Sequence, residues 1–307
     1  VNFSPETSLN LGVDYDSLKV INPDAIVVSI TNFGLDGPYR NYKAWDLVEY
    51  AFGGLMYIFG THDREPVAHA LYQAQYRAGT VAAGAAQIAL YGKKVTNSGD
   101  TENQSKGRLV DISIMEVIAS SLRDTVSQYT YQGIVRRRGP LFGMGMGRTM
   151  ATSDGYIIPV LGLGPDWEAF ADFLDIPELK EEKFVTQENR IRNAQELDQI
   201  LSARFQQFTK MQLFHDAHAW RFHFGVVLTP REVAENEQLA FRGYFVDIDH
   251  PVAGTLTYPG ASAIFSETPW RIGSPAPTLG EHNKEIFCEM LGYSTSDLVK
   301  LRQMGAI

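Results

Sequence analysis

Several groups of residues have types and spacings that could do chemistry. His215, His218 and His223 offer three imidazoles, two of them one helical turn apart, a spacing that can hold a divalent cation. No HExxH pattern and no cysteine pair accompanies them, so they read as surface or capping histidines and no metal is expected. The run GPLFGMGMGR, residues 139–148, has a G-x-G-x-G pattern of the kind that cradles a dinucleotide. It follows Arg136, Arg137 and Arg138 rather than a strand and leads into the strand-like ATSDGYIIPV, so no helix N-terminus would receive a phosphate. The arginines themselves read as a solvated charge run. Cys288, the sole cysteine, excludes an intrachain disulfide, and its apolar neighbours in EIFCEML suggest a core thiol on a helix.

The elements that must position such groups alternate between strand and helix in the first half. AIVVSI, residues 25–30, is a β-branched run bounded by turn signals and reads as a buried strand entering the loop NFGLDGP. Apolar residues Trp45, Val48, Phe52 and Leu55 recur at helical spacing from Ala44 to about Phe59, with Gly53 and Gly54 as a weak point. Residues 78–91 are rich in Ala and Gly and predict a packed interior helix ended by Gly92 at a left-handed cap. A polar loop follows, then a strand at RLVDISI and one long helix over MEVIASSLRDTVSQY. Beyond the glycine run a smaller module is expected: a strand at GYIIPVLGL, helices around DWEAFADFL, NAQELDQILSARFQQ and KMQLFHDAHAW, and a hairpin at YFVDIDHPVAGTLTYPG. The end is helical, with Ser294 and Asp297 in capping-box register.

With 307 residues, 44% hydrophobic content and a net charge of −9, the chain can bury a sizeable core and presents no general attraction for nucleic acid. No apolar run is long enough to suggest a membrane span, and VNFSPETS has neither the cationic start nor the continuous apolar run of a secretory leader. Together with the single cysteine this fits a cytoplasmic protein, and the absent initiator methionine suggests a trimmed or processed chain.

Several stretches, in order and nearly end to end, resemble the family III CoA-transferases, the CaiB/BaiF family that includes formyl-CoA transferases and α-methylacyl-CoA racemases. NFGLDGPYRNYKAWDLVEYAFGGLM resembles the family's G-x-x-GPY loop and following helix, and SKGRLVDIS its G-x-G-Q-x-V-D-V-S strand. FVTQENRIRN and APTLGEHNKEIFCEMLGYS resemble its small-domain and C-terminal signatures. In the second of these, Glu281, His282 and Asn283 read as a helix start and interface. The resemblance implies an α/β fold: an open Rossmann-like large domain, with roughly a further hundred residues before this point, and a small α+β domain. Residues 1–138 would be the large-domain portion with its central helices, 139–245 the glycine loop and small domain, and 246–307 the return to the large domain. The implied assembly is an interlocked homodimer, or a heterodimer with a paralogous subunit.

The family's reaction is nucleophilic: an aspartate attacks an acyl-CoA thioester, and CoA passes to a second carboxylic acid through an aspartyl thioester. That aspartate stands four residues before the glycine opening the small-residue helix, and counting back from Gly79 gives Gln75. A carboxamide can position an acyl group but cannot accept it, and the window HALYQAQYRAG contains no Asp or Glu. Racemisation is not expected, because the family's histidine position holds Trp45 as well. The remaining contacts carried over are Lys43 to a CoA phosphate, Asn10 and Leu11 near the adenine site, and Gly143, Gly145 and Gly147 as a loop closing over the thioester. At position 45 formyl-CoA transferases have an active-site aromatic; helical spacing makes a core anchor the preferred reading for Trp45. Three functions remain open: a CoA-transferase with a changed or borrowed nucleophile, a non-catalytic CoA-binding or structural subunit, and a thioester lyase or hydratase in which Gln75 orients water.

Overall fold

The computed structural model describes residues 1–60, 64–96, 107–122, 124–138, 149–160 and 166–307. They separate into two compact units, Val1–Arg148 and Thr149–Ile307. Among the described residues no helix is long and apolar enough to cross a membrane.

The first unit opens with α1 (Pro5–Leu11) and α2 (Tyr15–Ile21), each started by a side-chain cap, Ser4 and Asp14 respectively. Strand β1 (Ile26–Thr31) follows and alternates between half-buried and buried positions, so it is not the buried strand expected throughout. Next come α3 (Asp46–Phe52), a 3-10 turn (Leu55–Ile58) and the 24-residue α4 (Gln73–Thr96). The chain then returns as β2 (Arg108–Ser113), which pairs with β1 in parallel register, Ile26 with Arg108 through Thr31 with Ser113. A parallel pair needs a long crossover, and α4 supplies it by packing across both strands. The single helix expected after β2 is two, α5 (Ile114–Ser120) and α6 (Asp124–Gln132), because α5 ends at Ser121.

Three further expectations for this unit change. The helix around residues 44–59 is cut at Gly53–Gly54 into α3 and the 3-10 turn, with Gly54 at φ 80°. Gly92 lies inside α4 and not at a left-handed cap; a Cβ there would sit 3.1 Å from Arg108 Nη1, so its smallness makes room for that side chain. Nor is α4 interior on all sides: Ala74, Ala78, Ala82 and Ala89 are buried, while Val81, Ile88 and Tyr91 are exposed. The alanines let α4 approach the core of Tyr50, Leu55, Ile112, Ile114, Val117 and Ile118 closely.

The second unit contains the antiparallel sheet β3 (Met150–Thr152), β4 (Gly155–Val160), β5 (His223–Val227), in that order. Around it run α7 (Trp167–Leu174), α8 (Glu182–Val185), α9 (Gln187–Arg192), α10 (Ala194–Phe205) and α11 (Lys210–Ala219). Phe170, Phe184, Phe205, Leu201 and Leu213 are wholly buried there. The short helices α12 (Pro230–Ala234) and α13 (Glu237–Phe241) lead to the expected hairpin, β6 (Phe245–His250) with β7 (Gly254–Pro259). Cys288 lies on a π-helical segment, Lys284–Met290, and is half-buried instead of a core thiol. The last helix, α14 (Thr295–Gln303), has the Ser294–Asp297 capping box.

Gly53 is required by packing and not by its backbone angle. Gly53 has an ordinary φ of −70°, but a Cβ on it would lie 2.5 Å from Ile118 Cγ2 and 2.6 Å from Ile118 Cβ. Gly53→Ala should therefore lower the free energy of unfolding by about 2–3 kcal/mol through overpacking. Urea unfolding should also show Gly53→Ala with Ile118→Ala less destabilised than the two single changes summed; strict additivity would refute the contact.

Candidate functional site

The site is built where α3 meets the start of α4. The first N–H groups of a helix lack partners within it, and for α4 one is met from a distance: Asp46 Oδ1 accepts the Ala74 N–H at 2.7 Å, across 28 positions of sequence. This fixes the rotation of α3, so that Asp46, Glu49, Tyr50 and Gly53, spaced i, i+3, i+4, i+7, form its inward stripe. Tyr50 is fully buried, and its hydroxyl lies 2.7 Å from His69 Nδ1. Glu49 is also 0% exposed.

Gln75 is one turn into α4, and its Nε2 donates to Glu49 Oε2 at 3.1 Å. Asn32, just beyond β1, completes the arrangement. With its carboxamide nitrogen towards Glu49 it donates to Oε1 at 2.9 Å, and its oxygen accepts the Ala44 N–H at 3.0 Å. Glu49 thus has both oxygens held by neutral amides, and among the described residues no ion pair neutralises it. Burial, reinforced by the neighbouring Asp46 charge, pushes its carboxyl up to about 7. Gln75 Oε1 is buried without a partner among the described residues.

Above these amides lies a cavity of about 590 Å³ whose lining includes Asn32, Arg40, Lys43, Trp45, Gln75 and Gly79. Its loop wall is tied down where Gly34 N–H donates to Thr31 Oγ1 at 2.9 Å and Leu35 N–H to Asp111 Oδ2 at 3.0 Å. Gln75, Lys43 and Trp45, three of the residues singled out from sequence, therefore share one cavity. Trp45 is not a core anchor: it is 64% exposed, caps the start of α3, and meets Tyr72 edge-on at 5.7 Å. Asn10 and Leu11 are exposed at the end of α1 and are not in this lining. Gly143, Gly145 and Gly147 lie outside the described residues.

Of the arginine run, Arg136 pairs with Asp124 at 3.8 Å and Arg138 donates to the carbonyls of Tyr57 and Arg64. Among the described residues no group of three or more His, Cys, Asp or Glu side chains could hold a metal ion, and that includes His215, His218 and His223. Glu281 accepts from Thr278 N–H and Oγ1, a helix-start arrangement, and His282 contacts Glu285. Sequence reasoning missed Arg40, Asn32, Asp46 and above all Glu49. The signal for the acids was present, two carboxylates on one i, i+3 stripe of a helix, but the apolar stripe of Trp45, Val48 and Phe52 is equally periodic.

The family model described as CoA-transferase family III matches residues 1–283. A Mus musculus protein named succinyl-CoA:glutarate CoA-transferase is 26% identical over a 309-residue alignment that covers 100% of this chain and 69% of that protein. The Thauera aromatica protein named succinyl-CoA:(R)-benzylsuccinate CoA-transferase subunit BbsE is 29% identical, covering 97% of this chain and 73% of its own length. A crystal structure of a CAIB/BAIF family protein from Brucella suis superposes with a TM-score of 0.78 at 27% identity, covering 94% of this chain and 74% of that one.

The buried carboxyl makes stability depend on pH. Glu49 has an ordinary value of 4.5 and a folded value of about 7, so the folded state holds the proton more tightly. Its contribution is fully present below about pH 4.5 and is lost as pH rises through about 7. Glu49→Gln keeps the shape without the charge, and it should gain about 3 kcal/mol on the wild type between about pH 5 and about pH 8. Urea midpoints at the two pH values check this, and parallel pH profiles for the two proteins would refute it.

Proposed function

This chain belongs to CoA-transferase family III, and from that premise we propose that it binds an acyl-CoA thioester and passes its CoA to a free carboxylic acid. The observation that carries the reading is the cavity in which Gln75, at the start of α4, is brought together with Lys43 and Trp45. Lys43 and Arg40 are exposed cations beside it in a chain that is acidic as a whole, and a local pair of this kind suits the phosphates of CoA. Trp45 would cover the thioester arm and Gln75 would lie at the acyl end. In the same reading Gly143, Gly145 and Gly147 close over the reacting group, and Asn10 and Leu11 lie towards the adenine. The protein would act in the cytoplasm as a dimer, either with itself or with a paralogous chain. Relatives named as CoA-transferases for succinyl-CoA make succinyl-CoA the first donor to try.

A second reading is favoured by two observations: position 75 holds an amide, and two relatives are named as subunits. On this reading the chain binds CoA or supports a catalytic partner without reacting itself. The isolated protein, given succinyl-CoA and a labelled dicarboxylic acid, should form labelled acyl-CoA. Such exchange would sink the subunit reading, whereas exchange that appears only on adding a paralogous chain would support it. Lys43→Ala should weaken CoA binding about tenfold at low salt, or about 1.4 kcal/mol, measured by calorimetry. An unchanged affinity would remove Lys43 from the site.

A further inference from the structure

The chain has no carboxylate at position 75, but it has one directly behind that position. We propose that Glu49 is the carboxyl group that accepts the acyl chain, with Gln75 as its movable cover. The inference rests on the transferase reading and names the group that performs it.

Three observations carry it. First, the two amides that hold the Glu49 carboxyl, Gln75 and Asn32, both line the cavity, so the carboxyl lies one side chain away from it. Second, a buried acid held by neutral amides alone is costly as a purely structural device; an amide or an apolar side chain in its place would avoid the loss of hydration. Third, Gln75 is a loose cover. Among the described residues a single hydrogen bond anchors its carboxamide and its oxygen is buried with no partner, an unfavourable state for a polar group. Rotating the side chain towards the cavity would relieve that oxygen and expose Glu49 Oε2 in one movement. Burial also leaves Glu49 more basic than an ordinary glutamate, so its ionised form, present at neutral pH, is the better nucleophile.

The chemistry balances without any further reactant. An electron pair on a Glu49 carboxylate oxygen attacks the thioester carbonyl carbon, a C–O bond forms, the C–S bond breaks, and CoA leaves as thiolate. The product is a mixed anhydride. The thiolate then attacks Glu49 Cδ, forming a C–S bond while the Cδ–O bond to the bridging oxygen breaks, so the donor acid departs as a carboxylate carrying that oxygen. The incoming carboxylate attacks Cδ and expels the thiolate, giving the second anhydride. Attack of the thiolate on the acceptor's carbonyl yields the new thioester and restores Glu49, now bearing one oxygen from the acceptor. No net proton is consumed.

The test uses succinyl-CoA with hydroxylamine, followed by peptide mass spectrometry. A hydroxamate on Glu49 is expected, as is heavy oxygen in Glu49 after turnover with a heavy-oxygen-labelled acceptor acid. Glu49→Gln should lose exchange by about a thousandfold or more while binding CoA within about twofold of wild type; Gln75→Ala should keep the Glu49 label. Exchange by the wild type with no label on Glu49, or exchange retained by Glu49→Gln, would overturn the assignment and leave the transferase reading intact. If the isolated protein binds CoA but shows neither exchange nor label, the assignment and its own catalytic activity both fall. If it does not bind CoA, the CoA-binding function falls with them.

Discussion

The hydrogen bond from the Ala74 N–H to Asp46 is the constraint on which the candidate site depends. The short parallel pair β1–β2 fixes where the crossover must begin and end, but not where α4 starts along its path or how α3 is rotated beneath it. A cap supplied from within the same turn would have fixed only α4. Drawing it from α3 couples the two helices, and with Asp46 directed inward, helical geometry carries Glu49, Tyr50 and Gly53 inward as well. The opposite stripe is thereby turned out: Trp45 joins the cavity lining, and Phe52 packs edge-on against Phe33 and Tyr39 in the loop region.

This arrangement sets apolar packing against charge. Tyr50, Ile118 and the small face of α4 bury apolar surface around the junction, and Gly53 lets α3 sit directly on Ile118. Two carboxyl groups sit beside the same helix start. The positive end of α4 favours both, and Asp46 gains a backbone N–H in direct contact, whereas Glu49 has only amide donors and the unfavourable field of Asp46. One acid is therefore structural, and the other is held in a state that burial disfavours.

The parts of the fold legible in the sequence are those where local pattern and tertiary contact agree. The β-branched run of β1, the hairpin β6–β7 and the Ser294 capping box all carry signals contained within a few residues, and each element forms where expected. The helix around Trp45 was misread in orientation because two stripes compete there, an apolar one and one containing two acids. Hydrophobicity selects the former; the cap on α4 and the close approach of Gly53 to Ile118 select the latter. Neither contact is local: Asp46 and Ala74 are 28 residues apart, and Ile118 belongs to a helix beyond β2. The same distance hid Glu49. A search for a carboxylate confined to the neighbours of Gln75 could not find one contributed by another helix.

Gln75 and Glu49 are best understood as one feature. A carboxylate at position 75 would place two acids within hydrogen-bonding distance, and two like charges that close cannot both ionise; one would be forced to keep its proton. An amide at 75 removes that conflict and adds a donor to the remaining acid. Conversely, an apolar residue at 49 would strip Gln75 Nε2 of its partner where Gln75 Oε1 already has none among the described residues. The two positions thus constrain each other: the geometry accommodates one ionisable carboxyl, with an amide opposite it, and in this chain the carboxyl is on α3.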